Sequence, residues 1–336
     1  MTMTTMLAMA FAAATTAQTP PPAPAPMKGI RHVGITVSDI DATLAFYGKA
    51  VPYRLQSRFR VPAASFPAKL IGKRRGEIEI ALVRMPTMFI QLIDVDPGSA
   101  AAPDPRPVIG PGYTHICFQS PASNSAYTKF RAAGLQMVSR GDKPVDIGGY
   151  GVVYAYGRDP DGIMIETEVM AEPKRAEPAW VTHIANVVAD RDRMLAFYAK
   201  LLGKAPYRAI EQEKRKVLDD IAGIDDLSIK GGWFRLANME IEVWQYVRPQ
   251  TPAPAGDRSL TAIGYNAIGF EVADLAREQA RLRSLGVRLA GPAIRLRGWR
   301  VQYAYDPEGN LFSVQQNVGA DRAESIDAVL PAAASS

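Results

Sequence analysis

The feature that most constrains this chain is an internal repeat. Residues 28–170 and 179–318 can be aligned over nearly their whole length. A repeat of this size indicates a duplicated structural unit, so it limits the possible folds before any single motif does. The matched segments are LAFY at Leu44–Tyr47 and Leu195–Tyr198, GYTHICF at Gly112–Phe118 with GYNAIGF at Gly264–Phe270, and YGRDPDG at Tyr156–Gly162 with YDPEG at Tyr305–Gly309.

Each half of the repeat contains the same order of predicted elements. A short strand with alternating apolar residues comes first, and an aspartate, Asp39 or Asp190, is placed to cap the helix that follows. Three further strands complete this unit, and a second unit of the same plan follows in the same half. Gly134 stands where the helix of the second unit should end. The sequence therefore predicts an α+β protein of four βαβββ units, arranged as two tandem domains over residues 28–170 and 179–318.

The segments outside the repeat differ from it in composition. The uncharged N-terminus with an apolar centre predicts a signal peptide over residues 1–17, followed by a proline-rich tether over residues 18–27. A signal peptide predicts a periplasmic or secreted protein, and a cytoplasmic protein is the alternative. The polar composition of residues 171–178 predicts a linker, and we predict a disordered tail over residues 319–336.

Composition narrows the classes of partner. The net charge of +5 is spread along the chain, and its densest cluster, Lys73–Arg75, lacks the interleaved aromatic residues of a nucleic-acid site. After the N-terminal segment no stretch is long enough to cross a bilayer. The single cysteine, Cys117, excludes an internal disulfide and a multi-cysteine zinc site. We expect a small-molecule substrate and neither nucleic acid nor a membrane as partner, and either a monomer or a homodimer.

Two duplicated motifs carry a resemblance to a known family. Each half begins with H-[VI]-x-x-x-V-x-D-x-D-x-x-LAFY, and DPDG or DPEG precedes each last strand. In this order and spacing they resemble the vicinal oxygen chelate superfamily, which includes glyoxalase I, methylmalonyl-CoA epimerase, bleomycin-resistance proteins and extradiol dioxygenases. The resemblance implies that two βαβββ units close an incomplete barrel around one divalent metal ion, with ligands from the first and last strands of each unit.

The resemblance implies a metal site in the first half, with ligands at His32, Gln91, His115 and Glu166. Two imidazoles and a carboxylate suit a borderline cation such as Fe, Mn, Co, Ni or Zn. Glu166 lies in the apolar run IMIETEV, where a carboxylate without a partner would be costly to bury. Glu168 is the fallback ligand if the strand is shifted by two residues.

The same positions in the second half are His183, Glu242, Ala267 and Ser313. Alanine and serine leave two ligands, which is too few for tight metal binding. We therefore predict that the second domain is a degenerate copy, retained for packing or for closing the substrate cavity, and that His183 has a structural role.

Enolate chemistry is the first prediction for the reaction. A metal that chelates vicinal oxygens can stabilise an enolate while a base moves a proton next to a carbonyl, which is lyase or isomerase chemistry. We predict Tyr156 and Glu79 as catalytic residues. Glu77, Glu166 and Lys69 are the other groups that could act as the base.

Two alternatives remain open. The first is an extradiol-type dioxygenase that uses Fe(II), since Tyr156 precedes Glu166 by ten residues, as in the extradiol pattern that the resemblance implies. The chain has only three histidines, however, and the ligand positions leave none for the acid–base steps of ring cleavage. The second is a protein that sequesters a small molecule without catalysis, in a cavity lined by the tryptophans of the second half.

Overall fold

The computed structural model describes residue 27 and residues 29–98 and 105–330, and within them the prediction of four βαβββ units is confirmed. Unit 1 comprises β1 (Ile30–Thr36), α1 (Ile40–Gly48), β2 (Arg54–Pro62), α2 (Ala68–Ile71), β3 (Glu77–Arg84) and β4 (Phe89–Asp94). Unit 2 comprises β5 (Gly112–Pro121), α3 (Ala126–Ala133), β6 (Gln136–Met137), β7 (Val145–Asp146), β8 (Val152–Arg158) and β9 (Met164–Met170). Unit 3 comprises β10 (Trp180–Val187), α4 (Arg191–Leu202), β11 (Arg208–Glu213), α5 (Lys216–Ala222), β12 (Ser228–Arg235) and β13 (Glu240–Arg248). Unit 4 comprises β14 (Gly264–Glu271), α6 (Leu275–Ser284), β15 (Arg288–Leu289), β16 (Ile294–Leu296), β17 (Trp299–Tyr305) and β18 (Leu311–Asn317).

The helix ends follow the capping signals in the sequence. The side chain of Asp39 accepts a hydrogen bond from the backbone N–H of Ala42, and that of Asp190 accepts one from Arg193. Each aspartate thereby satisfies one N–H group that the first helical turn leaves without a partner. The helix of unit 2 ends at Gly134, whose φ of 106° lies in the left-handed region that glycine adopts without strain.

The strands form two nine-stranded mixed sheets. Sheet I combines units 1 and 4 in the order β15-β17-β18-β14-β1-β4-β3-β2, with β16 paired to β17. Sheet II combines units 2 and 3 in the order β11-β12-β13-β10-β5-β9-β8-β6, with β7 paired to β8. In each sheet the first strands of two units pair antiparallel, β1 with β14 and β10 with β5.

This pairing differs from the one we predicted, in which units 1 and 2 share a barrel. All four units present the same first-strand edge, so the repeat pattern alone does not select which edges meet. The connection over residues 171–178, which contains neither helix nor strand, favours units 2 and 3 as neighbours. The end of β9 and the start of β10 lie at the same end of sheet II with only β5 between them, a distance that eight residues span easily.

The helices connect the units across the two sheets. Tyr47, the last residue of the first LAFY segment, packs its ring 5.8 Å from those of Phe118 and Phe130 in unit 2. Tyr198, its counterpart in the second half, is fully buried. One continuous apolar core therefore contains residues from all four units. The LAFY segments are packing elements, as their apolar spacing on a helix indicates.

The described part of the C-terminal segment is packed and does not form the disordered tail that we predicted. Residues 319–330 contain two short 3₁₀ turns, Arg322–Glu324 and Ile326–Ala328. Ile326 and Val329 are buried against Leu82 and Phe89 of sheet I. The segment has few apolar residues, so its sequence does not predict that it packs on the sheet. Two buried side chains are nevertheless enough to hold so short a segment in place.

Three of the predicted terminal segments lie wholly or partly outside the described residues. The predicted signal peptide over residues 1–17 and the predicted tether up to residue 26 lie outside the described residues, as do residues 331–336 of the tail. Among the described residues, no helix combines the length and the apolar character that a membrane crossing requires.

Candidate metal centre

Four potential metal ligands from four adjacent strands meet in the middle of sheet II. They are Glu242 on β13, His183 on β10, His115 on β5 and Glu166 on β9. Strand register places them within two residues of one another along the sheet. Ala185 pairs with both His115 and Glu242, His183 precedes Ala185 by two residues, and Glu166 pairs with Cys117, two residues after His115. Each of these strands supplies one side chain to the same face.

The donor atoms of these side chains lie within a few ångströms of one another. Nε2 of His183 is 2.8 Å from Oε2 of Glu166, and Nε2 of His115 is 3.1 Å from the same oxygen. Nδ1 of His183 is 3.5 Å from Oε1 of Glu242. The two histidines and Glu242 each offer a donor atom within 4.8 Å of the others.

The sequence predicted the ligand types but grouped them wrongly. His115 and Glu166 lie in this cluster, whereas the other two predicted ligands, His32 and Gln91, lie in sheet I. The strand pairing explains the error. Because units 2 and 3 form one sheet, the partners of His115 and Glu166 come from the second half of the repeat, where His183 had been assigned a structural role.

The equivalent positions in sheet I form the degenerate set. His32 and Gln91 come together there with Ala267 and Ser313, as the register of β1, β4, β14 and β18 shows. The guanidinium of Arg31 occupies this region instead of a cation and donates from Nη1 to Nδ1 of His32 over 3.1 Å. Burial and the charge of Arg31 hold the pKa of His32 well below its usual range.

The guanidinium of Arg31 is enclosed on all sides. Its Cζ lies 3.9 Å from the centre of the Trp299 ring, and its Nε donates to the backbone carbonyl of Glu324 over 2.8 Å. Its Nη1 also donates to Gln315. This protein cation stands beside His32, at the position in sheet I that corresponds to the cluster in sheet II.

The chemistry of the sheet II cluster fits a divalent metal. The Nε2 atom of His115 is buried and has no hydrogen-bond partner, although it lies close to Glu166. Buried polar atoms in proteins are nearly always paired, so an orphaned imidazole nitrogen facing a carboxylate indicates a missing ligand. Two imidazoles and two carboxylates are a donor set for Zn, Fe, Mn, Co or Ni.

The charges of the cluster are strongly coupled. Burial alone would raise the pKa of Glu166, but the neighbouring His183 and His115 outweigh it and bring that pKa down to about 2. Burial would likewise lower the pKa of His183, yet Glu242 and Glu166 raise it to about 10. Since imidazole binds metal in its neutral form, a cation that enters here must displace a proton from His183.

Two tryptophans fix the orientation of Glu242. The indole N–H of Trp233 donates to Oε1 of Glu242 and that of Trp244 donates to Oε2, both over 2.7 Å. The two rings pack edge to face with their centres 4.9 Å apart. A carboxylate held at both oxygens cannot rotate away, which pre-orients it for a metal ion. Nothing in the spacing of these tryptophans along the chain assigns them to Glu242.

The two predicted catalytic residues have different positions. Tyr156 lies on β8 opposite Glu166, and its ring centre is 4.9 Å from that of His115. Glu79 lies on β3 in sheet I and is paired with Arg58 over 2.6 Å and with Arg60 over 3.1 Å, so the prediction that it serves this site is wrong. Hydrogen bonding to Arg58 lowers the pKa of Glu79, which makes it a structural anion.

The remaining candidate bases lie in unit 1 or at the site itself. Glu77 and Lys69 belong to unit 1, as does Glu79. Glu168, the fallback ligand, follows Glu166 by two residues on β9 and lies on the same face of that strand. It accepts a hydrogen bond from the amide of Gln119. Glu168 is therefore a buried carboxylate next to the cluster, and burial together with the neighbouring Glu166 raises its pKa to about 7.

Two cavities meet at the cluster. The first has a volume of about 980 Å³ including its open mouth, and its lining combines polar and apolar side chains. Helix α5 forms one wall of it, and the lining includes Leu218, Ile221, Ile229, Trp244 and Tyr246. The second, of about 1200 Å³, is wider and carries basic side chains at its rim, among them Lys174 and Arg208. Glu168, His183 and Glu242 line both cavities, so the cluster is accessible to a small molecule.

Comparison with known proteins agrees with this architecture. Residues 31–154 and 182–303 match the Glyoxalase/Bleomycin resistance protein/Dioxygenase superfamily. The chain is 24% identical over 185 residues to lactoylglutathione lyase GLX1 of Arabidopsis thaliana, an alignment that covers 55% of this chain and 58% of that enzyme. The matched region thus spans less than two thirds of the length of that relative.

Solved structures share the fold at low sequence identity. Glyoxalase I from Zea mays superposes with a TM-score of 0.59 and 17% identity, over 86% of this chain and 92% of the maize enzyme. A candidate dioxygenase from Bacillus subtilis superposes with a TM-score of 0.53 and 12% identity, over 90% and 88% of the two chains. At these identities the superpositions establish the fold. Together with the duplicated match to the family, they place this chain in the glyoxalase/bleomycin resistance protein/dioxygenase superfamily, to which it belongs.

Proposed function

We propose that this protein is a metal-dependent enzyme of the glyoxalase or epimerase type, a lyase or isomerase that acts on a small substrate with vicinal oxygens. The observation that carries the proposal is the convergence of His115, Glu166, His183 and Glu242 beside a cavity with one apolar wall. These four residues would hold one divalent cation. When bound, the cation would supply Lewis-acid stabilisation to a substrate oxygen that gains negative charge.

The cavity supports a substrate with an apolar part. Leu218, Ile221 and Ile229 provide a wall that would bind that part of the molecule and exclude water from the reacting end. A site with little water strengthens electrostatic interactions with the developing charge. The wider cavity with Lys174 and Arg208 leaves room for a polar or anionic extension of the substrate.

We assign proton transfer to Glu168 and a positioning role to Tyr156. The Glu168 carboxylate lines both cavities beside the cluster, so it would meet the carbon next to a bound carbonyl. Burial keeps the pKa of Tyr156 well above its usual range, so its hydroxyl stays protonated and can donate a hydrogen bond. This assignment replaces Glu79, which lies in the other sheet.

The experiment is α-proton exchange in deuterated water with 2-hydroxyacyl thioesters, S-lactoylglutathione among them, followed by proton NMR. We include this thioester because of the name of the Arabidopsis relative. Loss of the α-proton signal with metal-loaded protein, and its retention with Glu168→Gln and His183→Ala, is the expected result. Equal exchange rates for the wild type and Glu168→Gln would remove Glu168 from the mechanism. No exchange with any thioester in the panel would count against enolate chemistry.

A ring-cleaving dioxygenase is the second candidate. His115, His183 and Glu166 form a set of two histidines and one carboxylate, which also suits Fe(II) and oxygen chemistry. Against it, the third histidine of the chain, His32, lies in sheet I and cannot assist at this site. Oxygen uptake with a panel of catechols after anaerobic loading with Fe(II) separates the two reactions. Uptake would favour the dioxygenase.

A further inference from the structure

The thiol of Cys117 faces the same interior as the metal cluster. Cys117 follows His115 by two residues on β5, so both side chains point to one face of sheet II. Its sulfur, a carboxylate oxygen of each of Glu166 and Glu168, and a ring nitrogen of His183 all lie within 4.8 Å of one another. All four of these residues are buried.

This second group of donors overlaps the first. His183 and Glu166 belong to both groups, and Glu166 contacts His115 and His183 at once through Oε2. Strand register shows the offset between them, since Cys117 pairs with Glu166 and the next residue pair in that direction is Gln119 with Glu168. The second group is therefore displaced along β5 and β9 toward their C-terminal ends.

The surroundings hold Glu168 of this second group in place. The Gln119 amide donates to Glu168, and its carbonyl oxygen accepts from the indole N–H of Trp180 over 3.0 Å. The neighbouring Nε2 of His115 is buried without a hydrogen-bond partner and faces the shared Glu166. A fixed set of buried acceptors with an orphaned nitrogen beside it is the arrangement of a site that a cation completes.

The two groups differ in their donor atoms, and this difference predicts that they prefer different cations. The first group offers nitrogen and oxygen, whereas the second offers a sulfur in addition. A thiolate prefers borderline and soft cations such as Zn²⁺ and Co²⁺, and one sulfur, one nitrogen and two oxygens can surround Zn²⁺ as a tetrahedron. Mn²⁺ and Mg²⁺ gain little from sulfur and favour oxygen ligands.

We propose that Cys117, Glu166, Glu168 and His183 form a second cation position for a thiophilic divalent metal ion such as Zn²⁺. The shared His183 and Glu166 make the two positions mutually exclusive, so each chain holds one cation and the softness of that cation decides which position it occupies. One consequence rests on the proposed function: a cation at the second position binds Glu168 and so removes the proposed base.

Cobalt spectroscopy on the chelator-stripped full-length protein tests this position without reference to activity. Co²⁺ bound to a thiolate gives a sulfur-to-cobalt charge-transfer band in the near ultraviolet, which nitrogen and oxygen ligands do not produce. We expect one cobalt per chain by elemental analysis, the band in the wild type, and its loss in Cys117→Ser and Cys117→Ala. His115→Gln removes a donor of the first group only, and we expect it to keep the band.

The metal preference supplies a second readout. Cys117→Ser should weaken Zn²⁺ binding by at least about tenfold and leave Mn²⁺ binding within about twofold of the wild type. Far-ultraviolet circular dichroism and the unfolding midpoint verify that each variant is folded. If one of the two Cys117 variants does not fold, the other still provides the test.

The outcomes separate this proposal from the proposed function. Bound cobalt without the charge-transfer band, or a band that persists in both folded Cys117 variants, overturns the second position and leaves the His115, His183 and Glu242 centre intact. Failure of the wild type to bind cobalt, zinc or manganese at all overturns both.

Discussion

Nε2 of His183 lies 2.8 Å from Oε2 of Glu166, which joins the first strand of the second repeat to the last strand of the first. The contact shows that the candidate metal centre belongs to neither copy of the repeat alone. Each half supplies one histidine and one glutamate to it. The candidate centre therefore lies at the junction between the two copies.

This arrangement predicts that the second-half histidine is required for metal binding. We expect His183→Ala to lower the affinity for a divalent cation by more than about 100-fold, because it removes one of the four proposed ligands. The measurement is metal content per chain after dialysis, together with a titration using a competing chelator.

His32→Ala provides the matched control, since it deletes the imidazole at the equivalent position of sheet I. There the neighbouring Arg31 guanidinium already fills the space. We expect this variant to retain the wild-type metal content. A loss of metal from His32→Ala equal to that from His183→Ala would contradict the assignment of the centre to sheet II.

The tryptophan pair predicts a weaker effect at the same centre. Trp233→Phe keeps most of the ring but removes the N–H that donates to Oε1 of Glu242. Loss of such an orienting contact typically lowers metal affinity by about 10–100-fold. The same chelator competition measures it. Trp299→Phe, a matched deletion in sheet I, should leave the affinity unchanged, and a similar loss in both variants would point to a general effect on folding.

The sequence predicted the type of each site residue but not how the residues are grouped. The motif at the start of each half marks His32 and His183 equally, and the pattern carries no information on which first strands pair. That choice depends on packing between units and on the path of the connection over residues 171–178. His115 and Glu166 were identified from their positions in the motif, while their partners depended on this pairing.

The features that the sequence missed depend on contacts between elements distant in the chain. Trp233 and Trp244 flank Glu242 on two neighbouring strands, and nothing in their spacing indicates that both indoles bind one carboxylate. Glu79 looked suitable as a base because it lies on an apolar strand, but its two arginine partners come from β2 beside it. The alternation of apolar and polar residues along a strand does not distinguish a carboxylate that is paired with arginine from a catalytic one.

A buried ion pair connects units 3 and 4 and predicts a large effect on stability. Glu278 and Arg281 on α6 are 0% and 3% exposed, and their side chains approach to 2.6 Å. Arg281 also donates to the carbonyl of Leu201 at the end of α4. Glu278→Ala leaves a buried guanidinium without its counter-charge, which should cost about 3–5 kcal/mol in the free energy of unfolding.

Urea denaturation measures this difference, and an exposed pair provides the control. Lys216, with a side chain that is 71% exposed, pairs with Asp220 on α5. Lys216→Ala should change the free energy of unfolding by less than about 1 kcal/mol, because water already solvates that charge. Equal effects of the two substitutions would refute a special role for the buried pair.

The aspartate of the DPDG turn predicts a pH dependence of stability. Asp159 is 4% exposed, and burial raises its pKa to about 7, against an ordinary value of about 3.9 for aspartate. Between these two values the native state holds a proton that the unfolded chain has lost. The contribution of this group to the free energy of unfolding therefore decreases as the pH rises from about 4 to about 7, by an amount on the order of 2–4 kcal/mol.

Asp159→Asn isolates this effect, because the amide is neutral at every pH. Its carbonyl oxygen can still accept from the backbone N–H groups of Asp161 and Ile163, and its NH₂ group can donate to the hydroxyl of Tyr47. We expect urea denaturation at pH 5 and pH 8 to show a smaller loss of stability with rising pH in the variant than in the wild type. Some slope should remain, since burial also raises the pKa of Asp306 in the second DPEG turn, to about 6. Identical slopes for the two proteins would mean that Asp159 is ionised in the native state throughout this range.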